Sequence, residues 1–377
     1  MNAAPLRVLI IGPTPPPFHG VATFIRDVLE TPQHFEPFLL NSLDTSDRRD
    51  ASNLGRWDAA NISLGFSNLA DMVSRLRRQE HALVYIPISQ NIPAFLRDAL
   101  FVLQARCFGA RVVLHLHGGH FRTFFDHEAP GWFRVVARWI LNQAAAVAVL
   151  SSDFKPIFEG LIPSERIHVV ENGVSDLFSN CSDDVLLHNR PPHTLLYMST
   201  ISREKGFLDL IRALPRIRES LPSIRLRIAG SGTDIDALAE AHKVINRENL
   251  RDAVDFVGNV DGLAKRDFLL SGSLFCLPTR YRYEGQPLAI LEAMSAGLPV
   301  LSTRHGAIAS TIQDGVTGRL LAPDATPEEI ADAVCAMLAD PENLRAQRIA
   351  ARTRYLDLFT LEQCHRRLTR VFNIATK

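Results

Sequence analysis

Short apolar, β-branched runs alternate with longer amphipathic segments along almost the whole chain. In the first half, the runs at 7–11, 37–40, 82–86, 111–115, 146–150 and 167–170 have the length and composition of strands. Between them, apolar positions at helical spacing mark 21–30, 69–79, 94–107, 132–143 and 152–161. Strands that are apolar throughout, rather than alternating, belong to a parallel sheet covered on both faces. Right-handed crossovers then make that sheet doubly wound. The pattern stops over 179–193, where a polar stretch containing Pro191 and Pro192 predicts a linker. It restarts with strands at 194–198, 225–229, 254–257, 274–277 and 299–302 and helices at 207–219, 235–245, 263–270 and 288–296. Three further helices, at 327–338, 344–358 and 361–372, follow. The expectation is an α/β chain of two doubly wound halves: a first domain over 1–185, a second over 194–358, and a terminal segment over 359–377.

Composition narrows the class. The 377 residues are 46% hydrophobic and 22% charged, with a mean hydropathy of +0.03, which is ordinary for a globular protein. At roughly 150 residues per domain the length also suggests two. Lys+Arg and Asp+Glu both count 41, and a zero balance argues against a dedicated nucleic-acid binder. Only five of the 41 basic residues are Lys, so each lysine is conspicuous. Five scattered Cys without a CxxC spacing read as free thiols in a reducing compartment. No segment reads as a signal peptide, and no run reaches the roughly 18 apolar residues of a spanning helix. A cytoplasmic location is expected.

In doubly wound sheets, ligands bind outside the carboxyl ends of the strands. The loops there carry the chemistry. After the strand 274–277 comes Glu284-Gly285-Gln286-Pro287-Leu288, a tight turn opening a helix that carries Glu292 and ends at Gly297. The N–H groups of such a helix start can hold an anion. Ser202-Arg203-Glu204-Lys205-Gly206 follows the strand 194–198 and places two cations before another helix. Gly230-Ser231-Gly232 follows 225–229, and Val260 follows 254–257. The first strand leads into a Pro-rich loop ending at His19-Gly20, with no GxGxxG, which counts against a dinucleotide oxidoreductase. The fourth strand ends in His115-Leu116-His117-Gly118-Gly119-His120. Gly119 stands where a binuclear metal pattern needs Asp, so no metal site is expected there. Arg75, Arg77 and Arg78 share a helix with Leu69, Met72, Val73 and Leu76, and Phe121, Phe124 and Phe125 follow the histidine loop. Either feature could touch lipid, although such a stripe also describes a core-facing helix with solvated charges.

The stretch from Glu284 to Val300, with Ser202–Gly206, resembles the retaining glycosyltransferases of family 4, glycosyl transferases group 1, which have the GT-B fold. Gly-Gln-Pro stands where that family often has Gly-Phe-Gly. The resemblance implies two Rossmann-like domains facing across a cleft, with a C-terminal helix crossing back onto the first. It implies a nucleotide diphosphate sugar, UDP- or GDP-linked, as donor, and a glycan or lipid-linked glycan as acceptor, with no cofactor required. Glu284 and His117 would lie at the reaction centre. Arg203 and Lys205 would hold the diphosphate and Glu292 the ribose. Gly285, Gln286, Pro287, Leu288, Gly232, Val260 and Gly20 would line the donor. The family's Glu-Gly-Gln-Pro form points to bacterial exopolysaccharide or lipopolysaccharide assembly. A sugar-nucleotide epimerase, a silent GT-B scaffold and a metallohydrolase are the alternatives, and peripheral contact with the inner membrane is a further expectation.

Overall fold

The computed structural model describes residues 5–16, 19–48, 59–78, 81–182, 184–188, 190–232 and 234–377, with side chains of the first helical residues 59–62 and of 188 left aside. Two compact units emerge: residues 1–172 together with 361–377, and residues 173–360. The first unit contains β1 (Arg7–Gly12), β2 (Leu39–Asp44), β3 (Leu83–Pro87), β4 (Arg111–Leu116), β5 (Ala146–Val149) and β6 (Ile167–Val169). They form one sheet in the order β2-β1-β3-β4-β5-β6, and every pairing is parallel. The second unit contains β7 (Thr194–Met198), β8 (Arg225–Ala229), β9 (Val254–Gly258), β10 (Leu274–Leu277), β11 (Val300–Thr303) and β12 (Gly318–Leu321). Its order is β12-β11-β10-β7-β8-β9, again all parallel. The α/β expectation of two wound parallel sheets therefore holds.

The interior strands are buried along nearly their whole length, as apolar strands covered on both faces must be. β2 differs. Its polar Asn41, Ser42 and Asp44 suit an edge, and the strand begins two residues later than the apolar run at 37–40 suggests. β12 was not expected, because Gly318-Arg319-Leu320-Leu321 is too short and mixed to stand out. The segment at 152–161 is a 3-10 helix over Ser152–Phe158, since Pro156 removes a donor that an α-helix there would need.

The predicted linker is a correction. The units divide at Asn172/Gly173, and the 179–193 region lies inside the second. Leu186 and Leu187 join its core, and the buried Arg190 guanidinium donates to the carbonyls of Leu186, Leu269 and Ala296. Leu186, Leu187 and Arg190 of the stretch read as a linker are thus buried in the second unit. The terminal helix Leu361–Thr376 belongs to the first unit, where Leu368 and Phe372 join the core and Phe372 packs on Phe35, Phe38 and Tyr85. Burying a side chain such as Phe372 contributes about 1.5–3 kcal/mol.

Candidate functional site

The order of the second sheet decides where its loops diverge. β7 pairs with β10 on one side and β8 on the other, so connections leave β7 and β10 in opposite directions. That is the switch point at which doubly wound sheets bind ligands. The loop after β7 carries Arg203 and Lys205; the loop after β10 carries Glu284.

Lys205 and Glu284 meet there across 79 residues of sequence. Lys205 Nζ donates to Glu284 Oε1 at 3.0 Å and Oε2 at 2.8 Å, and Thr279 Oγ1 donates to Oε2 at 2.8 Å. The ammonium also lies 4.5 Å from the Tyr281 ring centroid, a cation–π contact. Both charged side chains are largely buried, at 14% and 7% exposure. Burial first, then the Glu284 charge, raises the Tyr281 phenol above its ordinary pKa. Breaking one side of a buried ion pair typically costs about 3–5 kcal/mol, so the two residues hold each other in place.

Backbone geometry aims this cluster. Arg203–Lys205 is a short 3-10 turn, and Gly206, at φ +81°, both ends it and begins the helix Phe207–Ser220. A Cβ on Gly206 would collide with the Pro278 carbonyl, so the loops after β7 and β10 touch only because residue 206 is glycine. The same holds for Gly232, whose absent Cβ leaves room for the Ile201 carbonyl.

The remaining predicted residues separate into two groups. Glu292 sits on the helix Leu288–Ser295, where Oε1 accepts from Lys265 Nζ at 2.8 Å. Burial disfavours the Lys265 charge, but Glu292 and then Asp261 outweigh it, and its pKa is raised overall. Pro287 caps that helix, Gly285 accepts from Ala307 N–H, and buried Gln286 donates to Thr311. Leu288 opens the helix, and Val260 packs at the edge of the core beside Asp261. Arg203 points elsewhere. Its guanidinium donates to Glu240 at 2.6 Å, a carboxylate shared with Arg212, and its side chain is half exposed. The paired cations expected at one diphosphate are thus held by separate carboxylates.

In the first unit, the Tyr85 hydroxyl lies 2.8 Å from His115 Nδ1 and 3.0 Å from His117 Nε2. A phenol has one proton, so at least one imidazole donates to it. His115 is fully buried, whereas His117 keeps an open edge. Phe24 stacks edge-on to both rings. Burial, with His19 second, holds the His117 pKa down at about 3; burial, with His117 second, pushes His115 well below its ordinary value. Both imidazoles are neutral at neutral pH. His120 turns away to Glu128 at 2.9 Å, so the three histidines do not converge. Gly20 starts the helix Gly20–Glu30, and a Cβ there would meet open space. Pro17 and Phe18 of the same loop lie outside the described residues.

Thr279, Tyr281 and Lys265 belong to these clusters but were not anticipated. The scarcity of lysine singled out Lys265 as much as Lys205, since both are among the five. The lipid-facing expectation fails for two segments: Phe121, Phe124 and Phe125 are buried, and Met72 and Leu76 of the arginine-bearing helix face the core.

Residues 192–340 match the family model described as glycosyl transferases group 1. The chain is 28% identical over 256 residues to the alpha-D-kanosaminyltransferase of Streptomyces kanamyceticus, covering 64% of each. It is 28% identical over 308 residues to the GDP-mannose-dependent alpha-(1-6)-phosphatidylinositol monomannoside mannosyltransferase of Mycolicibacterium smegmatis, covering 76% of each. The match spans only 51% to 64% of the first curated relatives' own length. The crystal structure of Anabaena Alr3699/HepE in complex with UDP superposes with a TM-score of 0.74 at 18% identity, over 98% of this chain and 100% of that one. The fold is therefore the GT-B type of two parallel α/β units, and the stretch similar to the glycosyl transferases group 1 model, residues 192–340, lies within the second unit.

Proposed function

We propose that the chain is a retaining glycosyltransferase. It moves a hexosyl group from a UDP- or GDP-sugar onto a glycan or lipid-linked glycan, in bacterial exopolysaccharide or lipopolysaccharide assembly. The observation that carries this reading is the Lys205–Glu284–Thr279 cluster at the switch point of a group 1 domain.

Glycosyl transfer needs a stabilised leaving diphosphate and a positioned sugar. Lys205 supplies positive charge at the switch point. Arg203 adds a second cation once its guanidinium leaves Glu240, a half-exposed pair that is inexpensive to break. The start of the helix Leu288–Ser295 adds partial positive charge; Pro287 has no N–H to give. Glu292, held by Lys265, is oriented to accept from ribose hydroxyls. Both Glu284 oxygens are committed to Lys205 and Thr279, which suits a carboxylate that orients the sugar rather than one that attacks it. His117, neutral, can hydrogen-bond a sugar hydroxyl without bringing charge. In the front-face route implied by the family resemblance, a donor phosphate oxygen takes the acceptor proton.

Donor turnover across a panel of UDP- and GDP-sugars tests the reading. Loss of turnover in Lys205→Ala and Glu292→Ala is expected. Wild-type rates in either, or release of an inverted sugar nucleotide without acceptor, would overturn it.

A further inference from the structure

The helix Gly131–Leu141 buries Phe133, Ala137, Ile140 and Leu141 and turns the opposite side outward. On that side stand Trp132, Val135 and Trp139, exposed by 56%, 71% and 53%. Tryptophan is large and seldom left in water, and two on one helix at i and i+7 share a face. The helix Ile92–Cys107 packs beside it through Phe95 against Phe133, with ring centroids 5.2 Å apart. It too buries its inner face and exposes Leu100, and Phe108 at its end is also exposed. The two helices thus pack side by side, and each turns apolar residues outward.

The charged residues that these two helices turn outward are arginines. Gly131–Leu141 carries Arg134 and Arg138 and no carboxylate. Ile92–Cys107 contributes Arg106, and its only acid, Asp98, is buried and paired with Arg97 at 2.8 Å. Of the acids preceding the helix, Asp126 pairs with Arg122, and Glu128 lies 2.9 Å from the His120 imidazole, which balances its charge only when protonated. No carboxylate pairs with Arg134, Arg138 or Arg106 among the described residues. Exposed tryptophans interleaved with unpaired arginines match an anionic bilayer surface, whose headgroup region takes indole rings and whose charge attracts guanidinium. A second copy of the chain is a poor occupant, because an isologous contact would set this basic face against itself. None of the helices is long and apolar enough to cross a membrane among the described residues, so the contact would be peripheral.

We infer that the outward face of Gly131–Leu141, with the neighbouring Leu100 and Phe108, docks the first unit on an anionic lipid surface. This is the membrane contact that the sequence sought at Arg75–Arg78 and Phe121–Phe125. It is independent of donor chemistry, so failure of either reading leaves the other standing.

The test is sedimentation of the full chain with vesicles of phosphatidylcholine alone or mixed with phosphatidylglycerol. Binding is expected only to the mixed vesicles, falling with added salt. Trp132→Ala with Trp139→Ala, and separately Arg134→Glu with Arg138→Glu, should each weaken it by about tenfold or more. These side chains are exposed, so the variants should keep their circular dichroism; Trp132→Gln with Trp139→Gln serves should the alanine pair misfold. The inference is overturned by a wild-type chain that ignores phosphatidylglycerol, or by variants that bind like wild type. A dimer in solution that the tryptophan substitutions dissociate would assign the face to a second copy instead.

Discussion

The loops after β7 and β10 in the second unit bring together an ammonium and a carboxylate, with a second such pair on the neighbouring helix. The loop after β4 in the first unit brings together two imidazoles and a phenol, all uncharged at neutral pH. Both clusters sit at carboxyl ends of parallel strands, yet their electrostatics are opposite. An anionic diphosphate needs fixed charge opposite it, and buried charge must be paired until the ligand arrives. A sugar carries no charge, and neutral donors and acceptors suffice to orient it.

The largest effect that would break this comparison lies in the charged cluster. If its cations stabilise a leaving diphosphate, Lys205→Ala should lower kcat/KM for the donor by about 10²–10³-fold, the scale of losing one electrostatic stabiliser of a transition state. Glu292→Ala should also cripple donor turnover. Steady-state kinetics at saturating acceptor checks both, and a loss confined to thermal stability would assign the pair a structural role.

A second prediction separates the units by acid. Unfolded histidine binds a proton near pH 6.5, whereas folded His117 and His365 do so only near about 3, in each case chiefly because of burial. Between those values the unfolded chain holds more protons, so stability falls as pH drops through that window. The slope is about 1.4 kcal/mol per pH unit for each such group. The first unit, which also holds His115, should therefore open before the second on acidification. Hydrogen exchange resolved by peptide from pH 7 to pH 4 would show it; simultaneous opening would remove the distinction.

Smaller effects sharpen the roles. Lys265→Met should raise the donor KM by about tenfold with a lesser change in kcat, because it frees the Glu292 carboxylate without touching the leaving group. Equal losses in both constants would place Lys265 in the chemistry itself. Tyr85→Phe should cost about 1–3 kcal/mol of stability by leaving a buried imidazole nitrogen unpartnered, measured by thermal unfolding.

Much of the fold was legible because it is written locally. A run such as Val8-Leu9-Ile10-Ile11 can only be a strand buried on both sides, and helical spacing in 207–219 is unambiguous. Elements whose identity depends on distant neighbours were not legible in this way. β12 becomes a strand only because β11 offers it a ladder, and Arg190 is buried beside Leu186 and Leu187 because it finds carbonyls on the helix Gly262–Leu270, just past the helix Leu288–Ser295 and within its own segment. The site divides similarly. Loop residues flanked by glycine and proline stood out, whereas Thr279 and Tyr281 have no local signature and Lys265 is marked only by the rarity of lysine.

The sequence by itself determined the alternation of strand and helix, the parallel character of both sheets and the loops that end at their carboxyl edges, since these follow from periodicity and turn chemistry within a few residues. Tertiary structure alone decided which charges meet. Strand order places β7 beside β10, so Lys205 finds Glu284 rather than Arg203, and Arg203 finds Glu240 instead. It also decided which apolar faces remain outside. Phe121 and Trp132 look equally apolar in sequence, but one is completely buried and the other 56% exposed, because only packing fixes which side of a helix meets the sheet.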